Sequence, residues 1–166
     1  MNFSQTLKQI ESSNEFKEFK KEHKDAYLCA GFFVLDLEQN INQRQLDYSL
    51  KNGKIYTFSS SENKVTLKEA ETIEGKKEKL PELSKEIKTD LENLKEVVEK
   101  RMEKEEIQNK ITKIIAILQK HEDKQIWNLT CMMEGFGMLQ AHINSETGEI
   151  LKFEKRSMFD FVKKVK

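Results

Sequence analysis

The sequence predicts an α+β fold in which antiparallel sheets are each covered by a helix, two similar halves being joined by a long helix. Three observations predict it. Residues 26–73 form short strand-like runs, the first largely apolar and the last alternating from Val65, broken by turn residues that include Asn52-Gly53. From Leu80 to Leu118 apolar residues instead recur every three or four positions, and neither Gly nor Pro interrupts Glu82–Cys131. Short alternating runs then return over 124–155. The chain has 166 residues, 37% of them hydrophobic, enough for one core or for two small halves sharing one.

Residues 3–23 read as a first helix, with Phe3, Leu7, Ile10, Phe16 and Phe19 on a common face. Ser12-Ser13-Asn14 marks a break or restart, with Ser13 as a cap. AYLCAGFFVLDLE (26–38) is aromatic and β-branched enough for a long, largely buried strand. Strands at 43–50 and 54–61 follow, joined by Lys51-Asn52-Gly53, where an Asn-Gly step favours the positive φ values of a hairpin turn. A fourth strand at 64–73 completes a meander.

Pro81, the single proline, sits where a helix would begin. Leu80, Leu83, Ile87, Leu91, Leu94, Val98 and Met102 step by three or four, and Ile107, Ile111, Ile114 and Leu118 continue the stripe after a gap of five. A straight helix over 82–121 would span about 60 Å, longer than a compact domain of this size is wide. The helix therefore kinks near Glu103–Glu106, or it reaches across two subdomains or a partner chain. Ten acids and ten bases between Lys76 and Lys110 cancel, as on a solvated face with i,i+4 pairs. Strands at 124–134, 138–144 and 149–155 follow, with turns at Gly135-Phe136-Gly137 and Ser145-Glu146-Thr147-Gly148. The expected division is 1–75, a helix with a β-meander; 76–106, a charged helical connector; and 107–166, a helix with three strands and a basic, aromatic tail.

The halves can be laid over each other. His23-Lys24-Asp25 answers His121-Glu122-Asp123 at the helix ends, and Gly53–Phe58 answers Gly148–Phe153 in the pattern Gly-charged-Ile-x-x-Phe. The stretch HINSETGEILKFEK (142–155), within a span from Ile107 to Lys155, resembles the PepSY domain. That family places an Asp-x-x-Thr-Gly-Glu hairpin here in a helix-on-sheet layout similar to cystatins, and this chain has Asn144 where the family has Asp. The resemblance implies a non-catalytic module that binds or restrains other proteins.

Zero formal net charge, with 29 basic and 29 acidic residues, argues against a chain built to neutralise nucleic-acid phosphates. The opening MNFSQTLKQIESSNEF has neither a basic n-region nor an apolar h-region, which predicts a cytoplasmic protein. Two cysteines, Cys29 and Cys131, lie in apolar runs and read as buried thiols. His142 facing Cys131 on a neighbouring strand is the one conceivable nucleophile–base pair. His23, Asp25, His121 and Asp123 are the one conceivable metal set, although none has zinc-site spacing. Helix capping and core packing explain these residues without chemistry, so no catalytic residue, metal or cofactor is expected.

The candidate contact residues are Phe136, between two glycines at a hairpin tip, its neighbour Met138, and Arg156, Phe159 and Phe161 of the tail. Lys155–Lys166 carries five bases and one acid among apolar residues, a pattern that docks back on the domain, fills a partner groove or lies on an anionic membrane surface. The expected function is non-enzymatic protein binding or regulation. The alternatives are a homo-oligomer paired through the long helix and a small-molecule enzyme with a pocket between helix and sheet.

Overall fold

The computed structural model describes residues 2–40, 42–70, 80–135 and 137–157. Its elements in chain order are α1 (Phe3–Glu11), α2 (Asn14–Glu22), β1 (Tyr27–Asp36), β2 (Asn42–Ser49), β3 (Ile55–Ser61), β4 (Lys64–Glu69), α3 (Leu91–Lys104), β5 (Ile111–His121), β6 (Lys124–Met133), β7 (Gly137–Asn144) and β8 (Ile150–Ser157). All eight strands belong to one antiparallel sheet in the order β4-β3-β2-β1-β5-β6-β7-β8. Two four-stranded meanders therefore meet edge to edge, with β1 hydrogen-bonded to β5 at the centre.

This corrects the expected architecture. Among the described residues there is one sheet rather than two, and no long helix joins two halves. Only Leu91–Lys104 of the predicted 82–121 helix is helical, and Ile111–His121 is a central strand. The helical spacing has a specific cause. A β-bulge between Ile111 and Lys113 inserts one extra residue, so the inward-facing Ile111 and Ile114 stand three apart. From Ile114 burial alternates strictly through Ala116 and Leu118, and two strand periods make the step of four that a helix also gives.

The start of the predicted helix fails for another reason. Residues 80–90 form neither helix nor strand, and several of their backbone groups bond to residues at the ends of strands. Leu83 N–H donates to Leu28 O at 2.9 Å, and Lys88 and Thr89 N–H both donate to Ser145 O at 3.0 Å. The Ser84 main chain exchanges two hydrogen bonds with the Gln125 amide, at 2.8 and 3.1 Å. Trp127 Nε1 donates to Thr89 O at 2.8 Å. Asp90 then caps α3 in a capping box with Asn93.

The helices pack on one face of the sheet. Phe3 meets Phe33 and Trp127 edge-on, both at 6.3 Å. Phe16 and Phe19 pack on Tyr48 and Phe58. Helix α3 buries Leu91, Leu94, Val98 and Met102 in the same core. Its outer side carries Lys95–Glu99, Glu96–Lys100 and Arg101–Glu105 ion pairs. The apolar stripe that suggested pairing between chains is thus spent inside the domain.

Other readings have direct counterparts. The break at Ser12-Ser13 separates α1 from α2, with Ser13 capping the second helix. The turn at Asn52-Gly53 is longer than a two-residue hairpin: Leu50 N–H bonds Lys54 O, and Gly53 alone takes a positive φ, of 89°. At 144–149, Asn144 Oδ1 accepts from the Glu146 and Thr147 N–H groups and Gly148 turns with φ 78°. Asn144 and Gly148 of the stretch that resembles PepSY thus serve the turn between β7 and β8. The two laid-over motifs do not occupy equivalent places: Gly53–Phe58 leads into β3, second from one edge, whereas Gly148–Phe153 leads into β8, the opposite edge. His23 caps a helix, whereas His121 ends a strand.

Candidate functional site

The face of the sheet opposite the helices has no described helix over it, and strand pairing shows which side chains form it. One row crosses all eight strands: Thr66, Ser59, Gln45, Phe32, Ile117, Asn128, His142 and Lys152. The next runs Gln43, Val34, Ile115, Thr130, Gln140 and Glu154, and a third runs Asp36, Lys113, Met132, Met138 and Arg156. Phe32, Val34, Ile115 and Ile117 thus form an apolar patch on the two central strands, each side chain half-buried. Neutral hydrogen-bonding groups flank it on both sides. Charged side chains lie at Lys64 and Lys68 on one edge strand, at Lys152, Glu154 and Arg156 on the other, and at the Asp36–Lys113 ion pair at one end of the central strands.

Burial shifts two ionisable groups on this face, whereas the Asp36 carboxyl is lowered chiefly by a hydrogen bond from the Gln39 N–H. Burial raises the pKa of Asp47, against the opposing effect of a 2.7 Å hydrogen bond from Thr57 Oγ1. Asp47 stands opposite Ala30, beside the bulge that places Cys29 next to it. Burial lowers the pKa of His142, helped by the charges of Lys152 and His121 and opposed by Glu154.

The structure brings Met138 and Arg156 together as cross-strand partners on this face. Arg156 Nη2 also donates to Glu154 Oε2 at 2.8 Å. Phe136, Phe159 and Phe161 lie outside the described residues. Missing from the sequence-based candidates are Phe32, Val34, Ile115, Ile117 and Asp47. Their signal was present in β1, where the outward residues of CAGFFVLDL are as apolar as the inward ones, a pattern first read as burial on both faces.

The Cys131–His142 pair and the His23, Asp25, His121 and Asp123 set are not assembled in the described structure. Cys131 points into the helix-covered core opposite Ile114 and Leu139, while His142 stands on the other face. His23 packs against Phe19 and Tyr56, and Asp25 accepts from Lys51 N–H at 3.0 Å. Among the described residues no three His, Cys, Asp or Glu side chains could hold a metal ion, and no helix is long and apolar enough to cross a membrane. A groove of about 560 Å³ beside α3 is lined by Leu37, Met102 and Ile107 with Lys95, Glu99 and Lys110. Asp47 and His142 lie elsewhere.

Burial pushes both thiols up to about 12, Cys29 with help from the Asp47 carboxylate. Neither is therefore a thiolate at neutral pH. In the folded protein neither cysteine is expected to react with an aromatic disulfide reagent within minutes at pH 8, and both are expected to react in denaturant. A rapidly titrating thiol in the native state would contradict the packing described.

No protein-family model matches the chain, and no curated relative does. Its fold is similar to the crystal structure of a putative lipoprotein from Clostridium difficile 630, with a TM-score of 0.57 and 15% identity over 86% of this chain and 91% of that one. At that identity the likeness is one of fold alone.

Proposed function

We propose that the chain is a non-enzymatic protein-binding module whose docking surface is the open face of the sheet. The observation that carries this reading is the placement of Phe32, Val34, Ile115 and Ile117. Four apolar side chains sit together at the centre of a broad face, with neutral polar groups on the neighbouring strands to either side and the Asp36–Lys113 ion pair at one end. A recognition surface has this anatomy: its apolar centre is desolvated by the partner, and its charged rim sets orientation. A flat array of side chains projecting from rigid strands also suits a macromolecular partner better than a small molecule, which needs a concave site.

Charge placed at the centre should abolish binding without disturbing the core. Ile115→Glu and Ile117→Glu are expected to lose a stoichiometric partner recovered from the native cell. Glu96→Arg, on the outer side of α3, is expected to keep it. Equal recovery by the wild type and both sheet variants would contradict the proposal.

A further inference from the structure

We infer that Asp47 is the charge anchor of the open face and that the partner supplies a cationic side chain, lysine or arginine, to meet it. This inference rests on the docking surface proposed above and names the chemistry of its occupant.

The argument starts from what surrounds the carboxylate. Asp47 is half-buried on β2, in a row with Ala30, Thr57 and Lys68. Thr57 Oγ1 donates to Oδ1. On the β1 side its neighbours are the Cys29 thiol and Ala30, neither of which supplies charge, and the Cys29 Sγ donates instead to the Asp47 main-chain O at 3.4 Å. Gln45 and Ser49 flank it along its own strand. Lys68 lies two strands away across Thr57, about 10 Å at ordinary strand spacing. Among the described residues no lysine, arginine or histidine pairs with Asp47, although seven other acids have such partners.

A partly desolvated carboxylate with one neutral hydrogen bond is a cost to the free fold, since an ion leaving water needs a counter-charge to offset the loss. The raised pKa of Asp47 expresses the same cost. Asparagine would fill the space and accept the Thr57 hydrogen bond without that penalty. Such a cost disappears when a partner's ammonium or guanidinium seals the site. The contact then becomes a charge-assisted hydrogen bond beside the apolar patch, where Phe32 and Ala30 exclude water. A guanidinium fits particularly well, because its weakly hydrated plane can rest on Phe32 while its N–H groups reach the carboxylate.

The test uses N-acetyl-arginine amide as the probe and its neutral isostere, N-acetyl-citrulline amide, as the control. Each is titrated to about 0.1 M at matched ionic strength and read by amide NMR shifts, a range suited to one charge-assisted contact. The arginine probe is expected to shift the amides of Ala30, Phe32, Asp47 and Thr57 saturably, and the citrulline probe is not. In Asp47→Asn the shifts are expected to fall at least fivefold, while the melting temperature at pH 7 rises by a few degrees.

The sign of that gain follows from linkage. The folded chain holds the Asp47 proton more tightly than the unfolded chain, so wild-type stability falls as pH rises through the folded pKa. The variant's advantage is therefore full at neutral pH and vanishes below the ordinary value of 3.8, where the acid is protonated in both states. Equal shifts with both probes, or no shift with either, would overturn the assignment, as would a lower melting temperature for Asp47→Asn. These outcomes are separate from the fate of the docking surface itself, which the Ile115 and Ile117 variants decide.

Discussion

Asp90→Ala is expected to destabilise the chain by about 2–4 kcal/mol, measured by equilibrium denaturation. Asp90 is buried at the junction of α1 and α3. Its Oδ1 accepts from Phe3 N–H at 2.7 Å and from Leu91 N–H at 2.6 Å. Its Oδ2 accepts from Ser4 N–H at 3.2 Å and from Ser4 Oγ at 3.1 Å. One carboxylate thus serves the first turns of two helices, its own and one whose Phe3 lies 87 residues away in sequence. Each helix start presents orphan N–H groups and a positive dipole end, and a negative charge between them satisfies both. A typical cap is worth about 1 kcal/mol. This one also leaves buried donors unpaired when it is removed, at about 1–3 kcal/mol more. Asp90→Asn keeps acceptor capacity without charge and should lose roughly half as much. A loss below about 1 kcal/mol for alanine would show that the helices do not depend on this junction.

The second large effect is expected at Trp127. The residue is the only tryptophan and is fully buried. It is packed edge-on against Phe3 at 6.3 Å and Phe33 at 5.8 Å. Trp127→Ala should cost about 3–5 kcal/mol through lost burial and the cavity left behind. Trp127→Phe preserves most of the apolar contact but strands the Thr89 carbonyl that Nε1 serves, and should cost about 1–3 kcal/mol. The wild-type emission should be blue-shifted and resistant to iodide, becoming quenchable only on unfolding. Ready quenching in the native state would place the indole outside the core. Because Thr89 adjoins Asp90, these two substitutions share a structural neighbourhood, and their effects should not add.

Seven of the eight strands were legible because their signals are local. Alternation and turn residues marked β1–β4 and β6–β8, and Ser13 marked the restart between α1 and α2. The fold class was misread at β5. There the bulge and a run of outward Ile residues, Ile115 and Ile117, blurred the two-residue period into something like a helical one. Length did give a warning, since a helix over 82–121 would span about 60 Å, but a kink absorbed it, because β5 follows a real amphipathic helix with only a short connection. Ile111, Ile114, Ile115 and Ile117 did carry β-branched weight that favoured a strand. Losing β5 also hid the joining of the two meanders, since β1 and β5 are the strands that make one sheet of two.

The candidate surface was less legible for the same reason. Its apolar centre takes two residues from β1 and two from β5, and no local window of sequence contains both. Met138 was singled out as a neighbour of the Phe136 hairpin tip and Arg156 as part of the basic tail, and their pairing across β7 and β8 was not foreseen. Their partners across the sheet could be named only once β5 had been placed between β1 and β6. Asp47 looked like one acid among 29. Only the row that sets it beside Ala30 and Thr57 distinguishes it from the solvated carboxylates of α3.

The central claim, that the open face is where a partner docks, is tested most directly by position-specific photo-crosslinking in the native cell. A benzoylphenylalanine side chain is placed in turn at Phe32, Ile115 and Gln140 on the open face, and at Glu96 and Lys100 on α3. One adduct of a single size from all three sheet positions, absent from both helix positions and lost when Ile117→Glu is added, is the predicted result. Adducts from the α3 positions with none from the sheet would contradict the claim and move the docking surface to the opposite side of the molecule.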